Sequence, residues 1–178
     1  MKPILRMLMV GTGVATAMVL AGGLVTAGAA VADTADPDTI TYSCVEPPYP
    51  SGDSDFTVTL SAPLVVQLGH AINLTATLES VSPTKVDVPA GGVTTVLTVD
   101  VTGSETTTVP VSGLTTTSDT PVGDQVLETG GTGSLTPTQA GVYLFRPSTF
   151  VTTTYFGTTL TCTPTGSTPV EALTVDVP

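Results

Sequence analysis

Ile72-Asn73-Leu74-Thr75-Ala76-Thr77-Leu78-Glu79 alternates apolar and polar residues without a break. A period of two sends successive side chains to opposite faces of a pleated strand, here with Ile72, Leu74, Ala76 and Leu78 on the buried side. The pattern returns on both flanks. Phe56, Val58 and Leu60 alternate with Thr57, Thr59 and Ser61 before Pro63, and within Val93–Thr102 Leu97, Val99 and Val101 alternate with Thr98, Asp100 and Thr102. Thr39–Val45, Thr107–Val111, Gln125–Glu128, Val142–Arg146, Thr149–Tyr155, Thr158–Thr163 and Glu171–Val177 are the further predicted strands. No apolar run has helical spacing. Thr makes up about a fifth of the chain and Val is abundant, and both are stiff at χ1 and suited to a half-buried sheet. Gly and Pro recur as breakers; Glu46–Asp55, with Pro47, Pro48 and Pro50, reads as a loop and Gly157 as a hairpin tip. Short strands with frequent turn signals predict an all-β sandwich.

Upstream of these strands the chain changes character. Lys2 and Arg6 precede an uncharged stretch, Met7–Ala32, which ends in Ala30-Val31-Ala32 before Asp33. This is the basic, apolar and small-residue order of a secretory signal peptide, so the expected organisation is a signal at 1–32, an acidic flexible tail at 33–38 and one domain at 39–178. The stretch is also long enough to serve as an uncleaved anchor, but it is rich in Gly, Ala and Thr and carries a cleavage site. After cleavage no membrane segment is expected. Removing Lys2 and Arg6 takes the formal charge from −11 to −13, with Lys85 and Arg146 left against fifteen acids. Nucleic-acid binding needs clustered Lys and Arg and is excluded. An anionic membrane surface would be repelled.

Cys44 and Cys162 are the only cysteines. An even count in an exported chain predicts one disulfide. No Cys-x-x-Cys or group of histidines accompanies them, which argues against a redox or metal role.

Two segments resemble immunoglobulin-like domains. Gly69-His70-Ala71-Ile72-Asn73-Leu74-Thr75-Ala76 resembles their second strand, with Ala76 at the place of the first cysteine. Thr138-Gln139-Ala140-Gly141-Val142-Tyr143-Leu144-Phe145 resembles the tyrosine corner, with Tyr143 two residues before the second cysteine's place, here Phe145. No Trp is present, unlike in antibody domains. The resemblance implies an immunoglobulin-like antiparallel β-sandwich. Tyr42-Ser43-Cys44, Gly141-Val142-Tyr143 and Cys162-Thr163-Pro164 also resemble a secreted actinobacterial domain family of unknown function, which implies the compartment and the disulfide but no mechanism.

Chemistry finds little to work with. His70 is the only histidine, in an expected exposed turn after Gly69, and no Gly-x-Ser-x-Gly elbow is present to pair it with a nucleophile. Zinc catalysis needs several His or Cys ligands. A carboxylate pair could hydrolyse glycosides, but few aromatics are available to hold a sugar. Asp53-Ser54-Asp55 could offer oxygens to calcium yet lacks the EF-hand pattern, and a solvated loop is the expectation. No cofactor and no metal are predicted. Asn73-Leu74-Thr75 matches a glycosylation acceptor but sits within a predicted strand.

The remaining candidate is a contact surface. Phe150, Tyr155 and Phe156 cluster around the Gly157 hairpin tip with Arg146 nearby, and aromatics beside Arg are typical of contact hot spots. The competing expectation is that alternate members point into the core. The sequence therefore predicts a secreted, non-enzymatic binding or structural module with an unknown extracellular or cell-envelope ligand. The alternative is a carbohydrate-binding module for cell-wall or plant polysaccharide. A small hydrolase or protease inhibitor is a third class.

Overall fold

A computed structural model describes residues 32–34, 37–166 and 173–178, and the expected signal therefore lies, but for Ala32, outside the described residues. Among the described residues there is no helix, and so none long and apolar enough to cross a membrane. The chain forms ten strands: β1 (Ala32–Thr34), β2 (Asp38–Val45), β3 (Gly52–Pro63), β4 (Ile72–Ser80), β5 (Val93–Gly103), β6 (Thr107–Thr116), β7 (Leu127–Leu135), β8 (Gly141–Thr154), β9 (Thr159–Pro164) and β10 (Leu173–Val177). Every pairing between named strands is antiparallel.

Alternation decides burial. In β4 Ile72, Leu74, Ala76 and Leu78 are buried, as are Val93, Leu97, Val99 and Val101 in β5. All of these but Val93 meet Val58, Leu60, Val109, Val111, Tyr143, Phe145 and Val175 in one continuous core. Burying such side chains contributes roughly 1.5–3 kcal/mol each.

Strands run β3–β4–β7–β6 along one side and β5–β8–β10 along the other. These are the ABED and CFG orders of the immunoglobulin-type sandwich. The two sets are not separate sheets. The β5–β6 hairpin joins them on one side, and the extra strands β2 and β9 join β3 to β8 on the other, so the sheet closes on itself. Closure leaves few unpaired edges. Residues after β3 complete the seam: Val66 N–H donates to Asp176 O at 3.0 Å, and Asp176 N–H to Leu64 O at 2.8 Å, a parallel bridge to β10.

Three expectations change. Residues 33–38 were expected as a flexible tail, but Asp33 and Thr34 pair with Ala62 and Ser61, and Asp38 opens β2. Main-chain pairing is indifferent to side-chain charge, and residues 35–36 lie outside the described set. Asp53-Ser54-Asp55 is not a loop: β3 starts at Gly52, with Asp53 opposite Ser43 and Asp55 opposite Thr41. Val142–Arg146 and Thr149–Thr154 are one strand, β8, which continues through Pro147, where Ser148 and Thr149 together oppose Thr98 as a bulge, and Tyr155 falls in the turn beyond it.

Candidate binding surface

Chain reversal at Gly157 (φ 80°) makes the β8–β9 hairpin, with Gly157 N–H bonded to Thr154 O at 2.8 Å. Just before it, Tyr155 and Phe156 lie on one another, ring centroids 3.9 Å apart and tilted by 34°. Phe156 is 64 % exposed and Tyr155 46 %. The pair is anchored from beneath. Tyr155 N–H donates to Gly92 O at 2.7 Å, and its hydroxyl donates to Asp87 O at 2.8 Å. A hydrogen-bonded ring under a second ring loses little freedom on contact with a partner, and that favours binding.

The anchoring loop, residues 84–92, is itself tied to the β6–β7 connection. Val88 and Thr120 exchange backbone bonds at 2.9 and 2.8 Å. Asp87 accepts from Val122 N–H at 3.0 Å, and Asp119 from Ala90 N–H at 2.8 Å. Between the two loops runs a shallow groove of about 510 Å³ lined by Asp87, Val88, Pro89, Asp119, Thr120 and Pro121. Exposed Val86 and Val122 lie in the same two loops.

The candidate residues do not form one surface. Phe150 is 1 % exposed and packs edge-on against Tyr42 and Phe56, with centroids 4.8 and 5.0 Å away. The bulge at Ser148–Thr149 turns it inward. Arg146 sits opposite Asp100 and its guanidinium donates to Thr102 Oγ1 at 3.4 Å. It lies nine residues before Tyr155, which follows the end of β8, roughly 30 Å away along an extended chain. Only Tyr155 and Phe156 remain together at the surface. Sequence reading missed residues 84–92 and 117–122, whose only signal was a density of Pro and Asp.

Cys44 and Cys162 form the predicted disulfide, opposite each other on β2 and β9 with Cα atoms 4.0 Å apart. Such a bond belongs to an oxidising environment. His70 lies in an exposed turn, its N–H bonded to Gln67 O at 3.0 Å. Asp55 accepts from the Thr41 hydroxyl at 2.7 Å. Among the described residues no three His, Cys, Asp or Glu side chains group as a metal site.

Two acids have unusual surroundings. Glu105 Oε1 accepts from Thr138 Oγ1 (2.6 Å), Thr138 N (2.7 Å), Tyr143 Oη (2.8 Å) and Gln139 N (2.9 Å). These donors, the Thr138 hydroxyl foremost, hold its carboxyl below the ordinary range. Tyr143 Oη also reaches Gln139 O at 2.8 Å, which is the tyrosine-corner bond. Glu128, in contrast, is 5 % exposed and has no partner for Oε2. Desolvation pushes its pKa up to about 7, against a hydrogen bond from Thr95 that lowers it. Thr95 and Thr152 hydroxyls lie 2.7 Å apart. Tyr42 Oη is likewise buried without a partner, and burial raises its pKa.

No protein-family model, curated protein or solved structure matches the chain.

Proposed function

We propose that this chain is a secreted, non-enzymatic binding module whose contact surface is the stacked Tyr155–Phe156 pair with the adjoining Asp87–Asp119 groove. The single observation behind this reading is that both rings are exposed while Tyr155, on which Phe156 stacks, is held by hydrogen bonds to the main-chain oxygens of Gly92 and Asp87. Exposed aromatics on a rigid base are the residues that dominate contact energies. Export through the signal at 1–32 accounts for the disulfide, and the acid-rich surface of the mature chain turns away polyanions.

Carbohydrate is the second reading. A ring face offers an apolar surface to the C–H face of a sugar, and the carboxylates of Asp87 and Asp119 at the groove can accept from its hydroxyls. The test uses the secreted chain on a panel of insoluble cell-wall and plant polysaccharides, with envelope proteins as a parallel set. Retention that disappears in Tyr155→Ala/Phe156→Ala identifies the surface. Retention unchanged in that variant rejects it. N-terminal sequencing of the extracellular form should begin at Asp33.

A further inference from the structure

The β6–β7 hairpin carries two bulges side by side. On β6, Ser112 and Gly113 fall between the pairs Leu97↔Val111 and Thr95↔Leu114, so two residues oppose Val96 alone. On β7, Thr129 and Gly130 fall between Ala76↔Gly131 and Leu78↔Glu128, so two residues oppose Thr77 alone. The two strands stay in step with each other across both bulges, with Ser112↔Thr132, Thr115↔Thr129 and Thr116↔Glu128 in one register. Gly113 and Gly130 take the left-handed φ values, +86° and +81°, that glycine tolerates. A Cβ on either would come within 3.2–3.3 Å of the other's carbonyl oxygen.

One extra residue sends every following side chain to the other face. Beyond the bulges Leu114, Thr116 and Glu128 point inward, and Leu127 is left 46 % exposed. Without the bulges the inward set would be Thr115, Leu127 and Thr129. A leucine is exchanged for a leucine and a threonine for a threonine, so apolar burial nearly balances. Glu128 is the unmatched residue. As a neutral acid it tolerates the interior; as a carboxylate it has the Thr95 hydroxyl but, among the described residues, no cation to meet. Among the described residues the inward positions of β4, β5 and β6 carry no titratable side chain, and across the core stand only Tyr42 on β2 and Tyr143 on β8. The other register would set Glu128 opposite Glu79 on the outer face, where water and salt screen the repulsion.

The bulged end also holds the contact surface. Thr116 Oγ1 donates to Pro89 O at 3.1 Å, Gly91 N–H donates to Thr116 O at 2.7 Å, and Gly92 O receives Tyr155 N–H. We propose that β6 and β7 beyond Gly113 and Gly130 form a two-register element set by the proton on Glu128, and that its change of register releases the loop under Tyr155 and Phe156. The link to binding rests on the functional reading above; the register change does not.

The experiment follows leucine methyl signals of the secreted chain by NMR with a soluble paramagnetic agent, at about pH 5 and about pH 9. In acid, Leu127 should be broadened and Leu114 protected. In base the order should invert, because the ratio of charged to neutral carboxyl grows about tenfold per pH unit. Glu128→Gln should keep the acid pattern at both values, and Tyr155 ring signals should shift with pH only in the wild type. Leu114 protected and Leu127 broadened at both values in the wild type would overturn the proposal. So would a loss of all methyl dispersion in base, since that is unfolding. If the variant does not fold, the wild-type titration decides alone. A ligand that ignores Tyr155 would remove the functional reading and leave the leucine result standing.

Discussion

Breaking the Cys44–Cys162 bond should cost more than any single surface change, and the reason lies in where the bond sits. It joins residues 118 apart in the chain. For a closed loop of that length the chain-entropy model gives about 5 kcal/mol at 25 °C, nearly all of it from restricting the unfolded ensemble. The native state has its own means of keeping the geometry, because Tyr42–Val45 and Thr161–Pro164 pair at four positions along the same seam. Both cysteines are buried, and Cys162 lies opposite Phe150, so the rings beside it have reason to stay in place. Cys44→Ala/Cys162→Ala should therefore fold to the same structure with a stability lowered by about 3–5 kcal/mol, a large share of the 5–15 kcal/mol typical of domains. Urea unfolding is the assay. The midpoint should fall, and the slope should rise slightly because an uncrosslinked chain exposes more surface. A loss below about 1 kcal/mol in a variant with native methyl spectra would refute the entropy argument.

Glu128 makes the domain more stable in acid. Its folded pKa is raised from 4.5 to about 7, so its contribution is whole below about pH 4.5 and is lost as pH rises through about 7, by about 3 kcal/mol less whatever the register change recovers. Calorimetry should show a falling Tm across that window in the wild type and a flat one in Glu128→Gln. Glu105 has the opposite sign. Its lowered carboxyl stabilises above the unfolded pKa and stops doing so as pH falls through the folded one, so Glu105→Gln should lower Tm at neutral pH and flatten the acid limb. Phe150→Ala should cost about 3–5 kcal/mol and Phe156→Ala at most about 0.5 in thermal melts, as a core ring and a surface ring should. Equal costs would contradict the division of the aromatic cluster.

Much of the fold was legible because strand alternation is local. Ile72–Glu79 and Val93–Thr102 read correctly as β4 and β5, and the spacing around Tyr143 pointed to the corner bond that the hydroxyl makes. β7 was read only as far as Glu128, because Gly130, Gly131 and Gly133 look like breakers. They are required by close approach. A Cβ on Gly131 would stand 2.7 Å from the Leu114 side chain, and one on Gly133 2.8 Å from Pro110 O. The candidate surface was half legible. Tyr155 and Phe156 stood out, but parity counted along a regular strand misplaces side chains beyond the Ser148–Thr149 bulge, and Arg146 lies too far along β8 to join them.

By itself the sequence determined that this chain is all-β, that its two cysteines have only each other, and that acids far outnumber bases. Those properties depend on composition and on a period of two, which need no partner. Tertiary structure decided the closure of the sheet through β2 and β9, the inward turn of Phe150 and Glu128, and the loop that braces Tyr155. Each of these depends on a bulge or a register, and a register exists only between two strands. A one-residue offset is invisible in either strand alone, yet it chooses which face meets the core.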